Sequence, residues 1–166
     1  MARNSIANAV RIVEVGPRDG LQNIGNTIPT LTKLELIERL KRAGLQSIEV
    51  TSVVSPRAIP QLSDSRILLG DARMQSLLQA SDMHWPVLVP NLKGFEVAKQ
   101  YGVKEVAVFV SASEGFSMAN TKCSVQEGLH RARAVAAAAQ HCGIMVRGQV
   151  SLSQEQCCLW VNVFSC

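Results

Sequence analysis

Five apolar, β-branched runs recur along the chain: VRIVEV (10–15), SIEVTSVV (47–54), PVLVP (86–90), EVAVFVSA (105–112) and IMVRGQV (144–150). Four of them are nearly continuous rather than alternating. A strand with one wet face alternates, whereas a strand covered on both faces does not. The runs therefore point to a parallel sheet. The segments between them read as helices. Thr32-x-x-Glu35 has the form of a capping box, Leu34, Ile37 and Leu40 keep one stripe, and Gly44 ends it. Ser124-x-x-Glu127 is a second such box, with Val125, Leu129, Ala132 and Ala136 expected inward and Gly143 as the stop. Residues 64–79 and 93–101 complete the set, the latter stopped at Gly102. Strands alternating with helices through short loops imply right-handed parallel α/β connections. An open doubly wound sheet and a (β/α)8 barrel both satisfy this pattern. A barrel takes about 250 residues, and the 166 present supply little more than half of one.

Only 4% of residues are aromatic, so aliphatic side chains must fill the core. The net charge of +4 suits an anionic ligand such as a phosphate-bearing one. Its scatter, without a Lys/Arg block, argues against nucleic acid. No apolar run is long enough to span a membrane. The start, MARNSIANA, lacks a secretory core and is short for a transit peptide. Five cysteines, Cys123, Cys142, Cys157, Cys158 and Cys166, form no C-x-x-C pair, which favours a reducing compartment. Residues 152–166 carry three of these cysteines and no helix or turn signal. They differ in character from residues 1–151 and are expected to be unstructured or artefactual. Gln-Val-Ser (149–151) has codons that can spell a splice donor, so a translated intron would account for the tail.

In either architecture the functional groups gather at the carboxyl ends of the strands. Arg18, Asp19 and Gln22 follow the first run, Glu49 lies inside the second, and Asn91 and Lys93 follow the third. Ser111, Ser113 and Glu114 close the fourth, and Arg147 sits in the fifth. Glu49 is the most informative. A carboxylate inside a buried strand is costly unless paired or metal-bound, and Arg18 and Arg147 are its candidate partners. Glu14 poses the same question and is expected to face the helix layer or the opposite barrel end. Pro-Arg-Asp-Gly (17–20) makes a turn. It also offers a hard oxygen ligand in Asp19 and a fork of donors in Arg18. His84, His130 and His141 read as loop or helix-surface residues, and Cys123 and Cys142 as packing residues. No Walker A loop and no G-x-G-x-x-G after a strand are present.

Six blocks, VEVGPRDGLQN, IEVTSVVSP, IPQLSD, PVLVPNLKGFE, KEVAVFVSASEGFS and RGQVS, resemble hydroxymethylglutaryl-CoA lyase over about residues 10–151. The wider metal-dependent acyl lyase and synthase superfamily shares only the Arg-Asp-Gly core. GPRDGLQN followed by SVVSP favours the lyase branch. The resemblance implies a (β/α)8 TIM barrel, here truncated after about five strands and four helices. It implies a retro-Claisen cleavage of an acyl-CoA substrate to acetyl-CoA and acetoacetate with Mg2+ or Mn2+, in ketone-body formation and leucine breakdown. Asp19 matches the metal-binding aspartate. Arg18 matches the arginine that steadies the thioester oxygen. Glu49 matches the acid that positions substrate or Arg18. Gln22 and Asn91 are matched to substrate binding. The mitochondrial matrix is the leading compartment, with the cytosol and peroxisome as alternatives, and a homo-oligomer of the intact enzyme is compatible with the family.

The family also uses an H-x-H pair, an asparagine ligand and a cysteine in a GLGGCPY-like loop. None of these occurs in this sequence. The family's RGYVSC reads RGQVSL here, and the likeness stops after it. The chain alone is therefore expected to bind metal weakly and to lack turnover. Two other readings stay open: a related carbon–carbon lyase or synthase, and a non-catalytic short form that pairs with full-length enzyme.

Overall fold

The computed structural model describes residues 10–80 and 83–151. Four strands, β1 (Thr51–Ser52), β2 (Val87–Leu88), β3 (Glu105–Ser111) and β4 (Met145–Ser151), form one parallel sheet in the order β1-β2-β3-β4. The spatial order follows the chain and never reverses. A doubly wound sheet reverses at a switch point, whereas a barrel adds each strand beside the last. The observed order is the barrel's. The domain division expected after residue 151 coincides with the end of the described residues, and the 152–166 tail lies outside them.

The first run is shorter than its sequence suggests. Of 10–15, only Glu14 enters the sheet, in a parallel bridge to Ile48. Glu14 N donates to the Ser47 carbonyl at 2.9 Å, and Glu49 N donates to the Glu14 carbonyl at 2.8 Å. Beyond this point the chain winds into a π-type turn, Gly16–Gly20, and pairing stops. The first of the five expected strands is thus a bridge alongside four true strands.

Alternation sorts the sheet into two faces. Ile48, Val50, Val87, Val89, Val106 and Val108 belong to the aliphatic core with residues of the helices. The other face carries Glu105, Ala107, Phe109 and Ser111 on β3. Ala107 and Phe109 stand in register with Arg147 and Gln149 on β4. This face is polar, yet Glu49, Glu105, Arg147 and Gln149 are all buried.

Six helices cover the aliphatic face among the described residues: α1 (Thr30–Arg42), α2 (Ser65–Gly70), α3 (Ala72–Gln79), α4 (Leu92–Gln100), α5 (Glu114–Thr121) and α6 (Val125–His141). Four were expected. The 64–79 pattern is broken at Asp71, whose extended backbone ends α2 and whose carboxylate caps α3 through Arg73 N. Helix α5 starts at Ser113, which accepts from Phe116 N. Helix α1 begins two residues before the expected box: Pro29 is its N-cap and Thr32 lies inside it. The stripe itself holds, with Leu34 and Ile37 buried and Leu40 packed against the core. Ser124 caps α6 as expected, accepting from Glu127 N at 3.1 Å, but the Glu127 carboxylate turns to Arg131. The fully buried face of α6 is Ala132, Val135 and Ala139; of the expected stripe Ala132 is buried, and Val125, Leu129 and Ala136 are half-buried. Small alanines let both faces of this helix fit, and packing on β3 selects one. Gly102 and Gly143 end α4 and α6 with positive φ, a conformation that glycine adopts freely.

Phe95 is fully buried in the core. Phe95→Ala is expected to cost about 3–5 kcal/mol, whereas Asp71→Ala, which removes one cap, costs about 1 kcal/mol. Urea denaturation of the two variants checks the ranking.

A buried carboxylate between two guanidinium groups

The site begins with the winding of Gly16–Gly20 around one carbonyl. Val15 O accepts from Arg18 N at 3.1 Å, Asp19 N at 2.6 Å and Gly20 N at 3.4 Å. Pro17 near the start of the turn suits its fixed φ. Gly16 N donates to Glu14 Oε1 at 2.6 Å, and a Cβ on Gly16 would stand 2.7 Å from that oxygen. Glu14 is thus committed to the turn, on the sheet face of its bridge partner Ile48. The turn sends Arg18 inward and leaves the Asp19 side chain 47% exposed.

Glu49 is 0% exposed and accepts from three side chains. Arg18 Nε donates to Oε1, Arg147 Nη2 donates to Oε2, and Gln149 Nε2 donates to Oε2 at 2.9 Å. Both expected partners are therefore present together. Gln149 was not anticipated, although its spacing from Arg147 puts the two on one strand face. Arg18 Nη1 also donates to Asp19 Oδ1 at 2.6 Å, and Gln22 Nε2 donates to the same oxygen at 2.7 Å. The structure thus brings Arg18, Asp19, Gln22, Glu49 and Arg147 into one network. Asn91 stands apart in role. It is exposed at the end of β2, and its Oδ1 caps α4 through Gly94 N at 3.0 Å.

A bulge aims Glu49. Ser47 bridges His84, and Thr51 pairs with Val87, so four steps on the Glu49 segment oppose three on its neighbour. One extra residue lies between them. Such bulges bend a strand and re-aim its side chains.

Two cations share the one fully buried anion. Burial, then the nearby Arg18 and Arg11 charges, lower the Arg147 pKa from its ordinary value to about 10. The group remains cationic at neutral pH, but at a cost that burial imposes. Asp19, paired with Arg18 at the rim, is the second carboxylate of the network.

A brace holds the loops beside the site. Lys33 is buried, and its Nζ donates to Gln61 O and to Asp64 Oδ1, both at 2.6 Å. Thr30 Oγ1 donates to Asp64 Oδ2 at 2.6 Å, and Gln61 Nε2 donates to Ile24 O at 3.0 Å. These bonds fasten the loop after the π turn to the loop after β1. At the opposite strand ends, Glu105 accepts from Arg11 Nη2 at 2.6 Å and faces His84 Nδ1 at 2.8 Å. His84 is therefore a half-exposed bridge residue that faces Glu105, not a plain loop histidine. His130 and His141 are exposed on α6. Cys123 is buried as expected, whereas Cys142 is exposed and does not pack. The remaining three cysteines lie outside the described residues. Ser113 and Glu114 serve caps: Glu114 Oε2 accepts from Val125 N at 3.0 Å.

Comparison with known proteins bears on this geometry. The HMGL-like family model matches residues 9–158. The mitochondrial hydroxymethylglutaryl-CoA lyase of Arabidopsis thaliana is 50% identical over 146 residues, covering 88% of this chain and 30% of that protein. The crystal structure of the HMG-CoA lyase of Brucella melitensis superposes with a TM-score of 0.78 at 46% identity, covering 87% of this chain and 49% of that one. An HMG-CoA lyase from Acinetobacter baumannii, solved with coenzyme A and 3-methylmalate, gives a TM-score of 0.74 at 32% identity, covering 83% of this chain and 43% of that one. The chain thus spans less than half the length of these relatives, and its parallel sheet with helices matches that part of their TIM barrels.

Removing the central charge strands two buried guanidinium groups. Glu49→Gln is expected to lower stability by about 3–5 kcal/mol. Glu35→Gln, which breaks only the surface pair with Arg39, should stay within about 0.5 kcal/mol. Equal denaturation midpoints for the two would show that the Glu49 network does not hold the sheet together.

Proposed function

Because the chain belongs to the HMGL-like family, we propose that its 10–151 stretch forms the thioester-facing part of a hydroxymethylglutaryl-CoA lyase. The reaction is the cleavage of 3-hydroxy-3-methylglutaryl-CoA to acetyl-CoA and acetoacetate, as in ketone-body formation and leucine breakdown. The observation that carries this reading is the Glu49 network, which fixes the buried Arg18 at the carboxyl end of the barrel.

In the cleavage, the 3-hydroxyl gives up its proton and its carbon becomes the ketone of acetoacetate. The electron pair of the breaking C2–C3 bond moves into the thioester as an enolate, and a proton returned to C2 yields acetyl-CoA. The barrier lies in the charge that grows on the thioester oxygen. A donor already aimed at that oxygen needs no reorganisation when the charge appears. Arg18 is such a donor. Glu49 holds its Nε and Asp19 accepts from its Nη1, so the guanidinium plane is set before substrate arrives. Arg147 and Gln149 in turn hold Glu49. Gln22 steadies Asp19, and Asn91 is assigned to substrate contact through its amide while its oxygen caps α4.

The family is metal-dependent in general. Asp19 fits a ligand role for Mg2+ or Mn2+, being a half-exposed carboxylate beside the Arg18 donor. Among the described residues, no three His, Cys, Asp or Glu side chains come together as a metal-binding group. Asp19 alone does not make a cation site, and the steps above run through Arg18. The acyl-CoA substrate class draws support from the coenzyme A and 3-methylmalate bound by the Acinetobacter baumannii lyase. A mitochondrial location draws support from the name of the Arabidopsis thaliana relative, while one Mus musculus relative is named cytoplasmic.

His84 faces Glu105, and His130 and His141 are exposed on α6. The 166-residue polypeptide with Mn2+ is expected to release no acetoacetate. Supplied with the part of the Brucella melitensis lyase that it does not cover, it should turn over, and Arg18→Gln should then lower kcat about 10²–10³-fold. Acetoacetate release by the polypeptide alone, or an unchanged kcat in Arg18→Gln, would sink this assignment. The polypeptide is expected to bind Mn2+ weakly, as read by electron paramagnetic resonance, and Asp19→Asn should abolish that binding; full retention would remove Asp19 as a ligand.

A further inference from the structure

Ser111 is 4% exposed, and its Oγ has no hydrogen-bond partner among the described residues. A hydroxyl buried in this state loses its bonds to water and receives nothing in return. Its place in the fold suggests what it is for. Ser111 is the last residue of β3, at the carboxyl end where barrel sites assemble. It shares the strand face of Glu105 and Ala107, because side chains on one face recur at every second residue. Its register partner is Ser151, and Phe109, two residues earlier, stands beside Gln149. Gln149 in turn donates to Glu49. The Ser111 hydroxyl therefore lies on the polar inner face, one alternate step, about 6–7 Å along the strand, beyond the Glu49 network toward the mouth.

We propose that Ser111 Oγ donates a hydrogen bond to an anionic oxygen of the ligand's acyl group. This rests on the acyl-CoA reading above and names a residue that determines acyl recognition. Arg18 and Arg147 place cationic donors on this face, paired with Glu49 and Asp19, and the unpartnered Ser111 hydroxyl supplies a neutral, directional donor beside them. Such a donor discriminates strongly, because a ligand lacking the matching oxygen leaves it buried and unpaired.

Ser47 provides an internal control. Its Oγ is equally buried and also without a partner, but it bridges His84 two residues before Glu49, away from the mouth. The test is calorimetric binding of 3-hydroxy-3-methylglutaryl-CoA and of coenzyme A alone to the protein and to Ser111→Ala and Ser47→Ala. Ser111→Ala is expected to weaken binding of the acyl-CoA about tenfold, to leave coenzyme A binding unchanged, and to melt no lower than the parent. Ser47→Ala should leave both affinities unchanged. Equal acyl-CoA affinity in Ser111→Ala and parent overturns the proposal alone. Equal weakening by both substitutions assigns the effect to packing and overturns it as well. A parent that does not prefer the acyl-CoA over coenzyme A overturns the functional reading, and this proposal with it.

Discussion

The interior is organised by a single carboxylate that carries no exposed surface. Glu49 receives Arg18 from the turn after the first run and Arg147 and Gln149 from β4. In the order of the sheet these contributors stand on opposite sides of Glu49, and Arg147 reaches it across β2 and β3. The network therefore resists flattening of the sheet and sets its curvature. Burying an ion pair is rarely a gain against apolar residues of the same shape, while breaking one is expensive. Such a network is better understood as a device that fixes geometry than as a source of net stability. The lowered Arg147 pKa agrees with this, since desolvation outweighs the help of the shared carboxylate.

A second polar cluster holds the other end of the same face. Arg11 crosses from the first run to Glu105 at the start of β3, and His84 joins it from the lead-in to β2. The two clusters differ in what they leave available. Around Glu105, one carboxylate meets one guanidinium and an imidazole, and no buried cation is in excess. Around Glu49, two guanidinium groups meet one buried carboxylate, and the second carboxylate, Asp19, is half exposed. Two paired guanidinium groups, a half-exposed carboxylate and the unpartnered Ser111 hydroxyl all fall at the carboxyl end. The division follows the barrel rule that function gathers at that end and stability at the other.

Much of this was legible in the sequence because the signals were local and redundant. Continuous β-branched runs gave the parallel sheet, and a glutamate inside one of them demanded partners. The six sequence blocks pointed to the family that the comparisons then supported. What escaped depends on geometry between segments. The extra residue near Glu49 is visible only when Ser47 and Thr51 are set against His84 and Val87. Gln149 looks like an ordinary polar residue until the curved sheet carries it to Glu49. Lys33 reads as a surface position in α1, but Asp64 and the Gln61 carbonyl draw it inward. The reading of α6 held only in part for a different reason: a helix rich in alanine has no decisive apolar face, so tertiary contacts choose it.

The placement of groups also divides the chemistry of a retro-Claisen cleavage along the chain. The thioester oxygen must be met by fixed donors, and the 3-hydroxyl must lose a proton to a base. Under the proposed function the first requirement would fall to Arg18, held by Glu49 with Asp19 beside it. Among the described residues, His130 and His141 are exposed on α6 and His84 faces Glu105. These requirements pull on a protein in opposite ways. Donors for an oxyanion gain from rigidity and from deep burial of their supports. A base must present a titratable group to solvent-derived protons and let product leave. A barrel can meet both by giving each to different strands, with the rigid network built early in the chain around Glu49.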